Sequence, residues 1–417
     1  MARAASTFTA LVGQSGGPTA VINESLVAAV LALRGFKDVK KIYGMRHGVN
    51  GLVRESPSLI DLTRTSEDHL RLVARTPSAA LGSSRDKPDA HYCTRILDAC
   101  RRLNARYFFY IGGNDSSDTC RIVSNLAQES GDDLRCFHIP KTIDNDLMGS
   151  DHSPGFPSAA RFLALAFMSD SMDNASLPGV KINIVMGRHA GFLTAAAAIA
   201  KIGGGRSAQK VAAHNGPHLV YVPEVPFDSN EFLRSVEAVY ARLGRCQVAV
   251  SEGVVDARGR PIATTLVDNL DTDMHGNVQL SGVGALGDAL ADLVKNNIKA
   301  PGGSTLRVRA DTFGYLQRCW PDRSPIDVKE ARAAARHAVR LAAQGHTSGS
   351  IAIARASSAP YKPAFRRIEL ADVAGKTRHL PSEFIEPGAG LAGCGISRAY
   401  IDWCRPLIGN LPEMGRL

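Results

Sequence analysis

The chain has 417 residues, 44% of them hydrophobic and 21% charged, which supplies sizeable cores, excludes global disorder and predicts two packed α/β domains with a tail. Lys and Arg outnumber Asp and Glu by 49 to 40, giving +9; this favours anionic partners, but the basic residues are dispersed, so small phosphates fit better than nucleic acid. No signal-length apolar stretch follows Met1-Ala2-Arg3-Ala4-Ala5-Ser6, and the Ala-rich run from Leu193 to Ile199 is too short to span a bilayer, so a cytoplasmic protein without membrane partners is expected.

In chain order, short apolar runs ending in Gly or polar clusters alternate with helical periodicity, as in mostly parallel sheets with crossover helices. Thr7 to Val12 predicts a first strand, followed by Gly13-Gln14-Ser15-Gly16-Gly17-Pro18 and a helix carrying Ile22, Leu26, Ala29 and Leu33. Tyr107 to Ile111 and Arg135 to Ile139 are further strands, the first running into Gly112-Gly113-Asn114-Asp115-Ser116 and the second into Pro140-Lys141-Thr142-Ile143-Asp144-Asn145-Asp146. Ile182 to Met186 precedes Gly187-Arg188-His189-Ala190-Gly191 and an alanine-rich helix. Strands are predicted at Leu219 to Val222, Gln247 to Ser251 and Thr305 to Arg309, with helices at Asn230 to Leu243, Ala285 to Asn296 and Pro325 to Ala343. From about Ser357 the chain is less periodic and reads as an extension wrapping the body.

The eight cysteines form no C-x-x-C and no zinc-ligand spacing, so they read as free thiols. Two phosphate-loop matches are set aside. Gly282 to Gly287 fits G-x-G-x-x-G but follows what reads as a polar hairpin, and Gly375-Lys376-Thr377 lacks the first glycine of a Walker loop, Leu370 standing there.

Ligands gather beyond the carboxyl ends of strands in open α/β sheets, where the polar clusters fall. Gly16 and Gly17 suit a phosphate cradle or a tight strand–helix turn. Asn114 and Asp115 offer oxygen ligands suited to Mg²⁺, and both residue types also cap helices. Asp144 can take a proton from a sugar hydroxyl, Thr142 can orient that substrate, and Lys141 supplies a cation. Phosphoryl transfer asks for little beyond such positioning and charge neutralisation. On extended backbone, Asp144 and Asp146 would share one face. Arg85, Arg188, Arg309 and Arg318 are each a phosphate fork or a solvated surface arginine.

Taken together, Gly-Gly-Pro-Thr-Ala-Val-Ile-Asn at 16–23, Leu-Gly-Ser-Ser-Arg at 81–85, Ile-Gly-Gly-Asn-Asp-Ser at 111–116, Pro-Lys-Thr-Ile-Asp-Asn-Asp at 140–146, Met-Gly-Arg-His-Ala-Gly at 186–191, Ser-Glu-Gly at 251–253 and Gly-Tyr-Leu-Gln-Arg at 314–318 resemble the phosphofructokinase family, in the family's order. The resemblance implies two Rossmann-like three-layer (αβα) domains with mostly parallel sheets. One is a donor domain at 1–155 and 305–356, the other a fructose 6-phosphate domain at 156–304, and an extension follows at 357–417. It implies phosphoryl transfer to the 1-hydroxyl of fructose 6-phosphate, with Mg²⁺.

By the same resemblance Asp144 is the proton acceptor. Lys141, Asp115 and Arg188 complete the catalytic set. Thr142, Ile143, Met186, Gly187, Arg188, Glu252, Tyr315 and Arg318 contact the sugar phosphate. Arg309 reaches a neighbouring subunit, implying self-association, with a homodimer favoured over a homotetramer. Gly16, Gly17, Arg85, Asp115 and Lys141 bind the donor, and Asn114, Asp115 and Asp146 hold the metal. The ATP-using branch has Gly at the positions of Asp115 and Lys141, whereas the pyrophosphate-using branch resembles this chain. A carboxylate at 115 would repel the α-phosphate side of ATP by about 4 kcal/mol at ~4 Å and an effective dielectric of about 20. Tyr315 replaces the histidine of ATP users. Asn114 replaces an aspartate associated with Mg²⁺, and no role follows for Lys181. ATP as donor, sedoheptulose 7-phosphate as acceptor and a non-catalytic phosphate-binding subunit are the alternatives.

Overall fold

The computed structural model describes residues 7–202, 214–267, 284–386 and 395–414. The polar hairpin expected before Gly282, and Gly282 itself, lie outside the described residues, as does Cys394. The strands that position the site are, in chain order, β1 (Phe8–Gln14), β2 (Val39–Met45), β3 (Leu59–Asp61), β4 (Ala105–Gly112), β5 (Arg135–Pro140), β6 (Val180–Val185), β7 (Leu219–Tyr221), β8 (Cys246–Ser251), β9 (Val308–Thr312), β10 (Ser348–Ser358) and β11 (Tyr361–Ile368). Two compact units result, one of residues 1–158 and 318–378, the other of 159–317 and 379–417.

The first unit holds a seven-stranded sheet in the order β11-β10-β5-β4-β1-β2-β3. Its central pairs are parallel, and β3 and β11 close the edges antiparallel. Side chains alternate across a strand, so Ala10, Val12, Phe109 and Ile111 enter one core with helices Ile22–Leu33 and Pro325–Ala343. Leu11, Phe108, Tyr110 and Cys136 enter a second core with helices Ala90–Arg102 and Asn114–Glu129. With both faces covered, the strands must be apolar throughout, which is why their runs show no hydrophobic alternation.

The second unit holds β7-β8-β6-β9, all parallel. One face packs Ile182, Ile184, Val248 and Val250 with residues of helices Ser229–Leu243 and Ala285–Asn297. Lys181, Asn183 and Gln247 from the intervening positions all donate to Asp170.

Thr305 to Arg309, expected in the donor domain, lies in the second unit, where β9 begins at Val308 and pairs with β6. The segment expected as an extension is divided between the units. Residues up to 378 include part of β10 and all of β11, and 379–417 join the second unit. Strand β11 is hard to see in sequence because it is an edge. It carries Lys362, Arg366 and Arg367, with Pro363 where an edge tolerates proline. The described cysteines are free, and all but Cys319 are buried. No helix among the described residues is long and apolar enough to cross a membrane.

Candidate active site

In the first unit the site is built where β1, β4 and β5 end. Strand β1 runs into Gly16, whose φ of +73° puts it in the left-handed region that glycine adopts without strain. Its N–H donates to the Ser84 carbonyl at 2.8 Å, and the Ser83 hydroxyl donates to the Gly16 carbonyl at 2.5 Å. The Gly16 amide expected at phosphate is therefore engaged with the Ser84 carbonyl. The Lys141 amine donates to the Gly17 carbonyl at 2.8 Å. A β-carbon at residue 16 would lie 3.0 Å from Lys141 Nζ, and one at 17 would lie 3.1 Å from Arg318 Nε. Two glycines thus leave room for two cations. Arg318, expected at the sugar phosphate, lies beside the glycine loop and Lys141.

Lys141 is buried. Its pKa is lowered to about 7, first by burial and then by the Arg318 charge, against the pull of Asp146 and Asp144. Burial disfavours the ammonium form, and a bound polyanion would favour it. His138, one of the few polar residues along β5, sits fully buried behind this junction, and burial lowers its pKa to about 4. It is therefore neutral. Nε2–H donates to the Gly112 carbonyl at 2.8 Å, and Nδ1 accepts from the Ser350 hydroxyl at 2.8 Å. The same Gly112 carbonyl accepts the Lys141 N–H at 2.9 Å. His138 carries no motif that marks it in the sequence. The available signal was a histidine inside an otherwise apolar strand.

Beyond Lys141 the chain does not stay extended. Asn145 has φ +58° and is fully buried, so Asp144 and Asp146 flank a left-handed turn instead of sharing a strand face. Asparagine enters that region more readily than most residues. The turn is tied internally: the Asp144 N–H donates to Thr142 Oγ1 at 3.1 Å, and the Thr142 hydroxyl donates to Asp146 Oδ1 at 2.9 Å. Asn114, at the start of helix Asn114–Glu129, donates through Nδ2 to Asp146 Oδ2 at 3.1 Å. Its Oδ1 is a buried acceptor with no donor. Ile143 is buried beneath the turn. Asp115, expected with the metal ligands, is exposed, with its carboxylate 3.9 Å from Lys87 Nζ. Arg85 is exposed as well, and its charge reaches Lys141.

In the second unit, β6 ends at Met186, whose N–H donates to Gln317 Oε1 at 3.2 Å. The Ser251 hydroxyl at the end of β8 donates to the Gly187 carbonyl at 2.7 Å. A β-carbon on Gly253 would fall 1.9 Å from the Arg188 carbonyl, so the two strand-end loops lie backbone against backbone. These contacts bring Met186, Gly187, half-buried Arg188 and buried Glu252 together. Arg309 projects from edge strand β9 with an exposed side chain, and Tyr315 is 51% exposed.

A sequence model of the family described as phosphofructokinase matches residues 9–342. The chain is 50% identical over 409 residues to the pyrophosphate–fructose 6-phosphate 1-phosphotransferase of Rhodospirillum rubrum, a match covering 98% of this chain and 96% of that protein. A protein of the same description from Halomonas elongata is 37% identical, with the match covering 98% of this chain and 96% of that one. Among solved structures, the pyrophosphate-dependent phosphofructokinase of Nitrosospira multiformis superposes with a TM-score of 0.81 at 32% identity. That match covers 98% of this chain and 94% of the other.

Proposed function

The chain belongs to the phosphofructokinase family, and we propose that it moves a phosphoryl group reversibly from inorganic pyrophosphate to the 1-hydroxyl of fructose 6-phosphate. The products are fructose 1,6-bisphosphate and phosphate. The observation that carries the choice of donor is Lys141: its buried amine closes on the Gly17 carbonyl and stands 3.0 Å from where a side chain on Gly16 would begin. A cation there matches a small, dense polyanion.

Asp144 accepts the proton of the 1-hydroxyl as that oxygen attacks phosphorus. The bond from phosphorus to the bridging oxygen breaks, and phosphate leaves with the electron pair. Thr142 holds the Asp144 backbone through its hydroxyl. Lys141 and Arg318 neutralise the donor, with Arg85 adding charge at the rim. Gly16 and Gly17 keep the loop open. Asp115 sets the donor limit by its negative charge. In the second unit, Arg188 pairs with the sugar phosphate, and Met186, Gly187, Glu252 and Tyr315 shape its surroundings. Arg309 serves a partner subunit in a homodimer located in the cytoplasm.

The family implies Mg²⁺, and the residues present suit it. Asn114 Oδ1 is an unpaired buried oxygen beside the Asp146 carboxylate. Among the described residues no cluster of three His, Cys, Asp or Glu forms a closed cage. That pattern fits an ion that takes one or two carboxylates and completes its shell with water and substrate oxygens. Asp146 and Asn114 would hold it, where it would neutralise charge on the pyrophosphate oxygens.

The test is an assay of purified protein with Mg²⁺ and fructose 6-phosphate, supplying pyrophosphate or ATP. Turnover with pyrophosphate is expected. Turnover with ATP alone would overturn the donor assignment.

A further inference from the structure

Loop 146–151, which follows the proton acceptor, is gripped at both ends by one distant residue. The Arg378 N–H donates to the Asp146 carbonyl at 2.8 Å, and Arg378 Nη1 donates to the Asp151 carbonyl at 2.7 Å. The Asp151 carboxylate has its own charge partners in Arg355 and His152. Arg378 thus grips main chain at both ends of the loop, through its own backbone N–H at Asp146 and through its side chain at Asp151. Movement at Asp146 would be passed on directly, because its carboxylate holds the Thr142 hydroxyl that in turn accepts the Asp144 N–H.

The next two residues do the same in the second unit. His379 Nδ1 lies 2.8 Å from the His189 carbonyl and, since a carbonyl only accepts, carries the proton. The Leu380 N–H donates to Glu224 Oε1 at 2.7 Å, and that oxygen also accepts the Gly191 N–H at 2.9 Å. Arg188 belongs to this loop. The Gly375-Lys376-Thr377 motif set aside as a phosphate loop is the turn after helix Leu370–Val373 that delivers Arg378: Lys376 N–H donates to the Val373 carbonyl at 3.2 Å.

We propose that Arg378, His379 and Leu380, with Glu224, form a positioning strap, in which Arg378 fixes the loop of Asp144 and Asp146 and Glu224 fixes the loop of Arg188. The activity readout rests on the function proposed above; the exchange readout does not.

The experiment compares Arg378→Met, Arg378→Lys, Glu224→Ala and Glu224→Gln in the full-length protein. It combines steady-state kinetics with amide hydrogen exchange in the absence of substrates. A small misplacement of reacting groups is enough to lower rates by one or two orders of magnitude. Arg378→Met removes the side-chain bond to the Asp151 carbonyl and keeps the main-chain bond to Asp146; it is expected to lower kcat about tenfold with the KM for fructose 6-phosphate within about twofold, and to speed exchange across 147–151. Arg378→Lys, which keeps a donor, recovers part of both. Glu224→Ala is expected to raise the KM for fructose 6-phosphate about tenfold with kcat retained, and to speed exchange at 187–191, while Glu224→Gln keeps an acceptor and restores both. Unchanged kcat and unchanged exchange in Arg378→Met would overturn the proposal. So would a loss of kcat that follows a falling Tm and that Arg378→Lys does not relieve. If the wild type turns over no pyrophosphate but exchange changes as expected, the donor reading fails and the strap stands.

Discussion

Asp144 is held by its backbone: its N–H is fixed to Thr142 Oγ1 while its side chain is half-buried. Asp144→Ala should therefore keep the backbone bond that holds the turn and remove the proposed proton acceptor. Turnover is expected to fall by about 10²- to 10⁴-fold, with sugar-phosphate binding retained in a direct binding titration. Near-normal turnover would remove Asp144 from that role. Lys141 makes a prediction in pH. The unfolded chain keeps its lysine charged up to the ordinary 10.5, whereas burial lowers the folded value to about 7. Between those values the unfolded state binds the extra proton, so stability contributed at this site rises as pH rises, by up to about 1.4 kcal/mol per pH unit. The unfolding free energy of wild type minus that of Lys141→Met should climb from pH 7 towards 10.5. A flat difference would mean that the amine titrates normally. The same variant should lose pyrophosphate affinity.

The turn after β5 is the element on which the first unit's site depends. Asn145 occupies the left-handed region at φ +58°, where a β-carbon without a local polar partner costs about 1–2 kcal/mol. Asn145→Ala should lower unfolding free energy by that order and Asn145→Gly by less, as measured by denaturant titration; the reverse order would contradict a conformational role. In the second unit the critical element is the Ser251-Glu252-Gly253 loop. Gly253→Ala places a methyl group on the Arg188 carbonyl, so it should raise the KM for fructose 6-phosphate far more than the KM for pyrophosphate. The chain positions of these elements were readable because buried parallel strands are apolar throughout and end in polar clusters. β1 and β4 to β9 fall near their expected places for that reason. Strands β2, β3, β10 and β11 were not read: β2 carries Lys40 and Lys41, β3 is three residues long, β10 lies inside the sheet but is rich in serine, and β11 is an antiparallel edge with charge on its open side. The left-handed turn was not read either, since Asp-Asn-Asp is equally compatible with extended backbone.

At the scale of the molecule, the residues from β10 onward matter more than an extension would. Strand β10 supplies Ile353, whose carbonyl accepts the Asp151 N–H at 2.7 Å, and Arg355, which pairs with the Asp151 carboxylate. Truncation after Ser358 removes β11 and the Arg378 clamp, so it should abolish cooperative folding of the first unit. A truncated chain with a native-like thermal transition would show that these strands are dispensable. Self-association belongs to the same scale: Arg309→Ala should lower turnover without shifting sedimentation if Arg309 serves a partner's substrate.

By itself the sequence determined most of the parallel strands, the order of the motifs and the residue types available for phosphoryl transfer. Those properties are local: an apolar run, a glycine pair or a carboxylate keeps its character wherever it lies. Only the tertiary structure decided that Lys141 meets a carbonyl 124 positions away and that burial lowers its pKa to about 7. It also decided that Asp115 stands out in solvent while Asn114 turns inward, and that Arg378 bonds to both ends of the loop after Asp144. Burial and electrostatic coupling depend on what surrounds a group, and the residues that surround these come from distant parts of the chain.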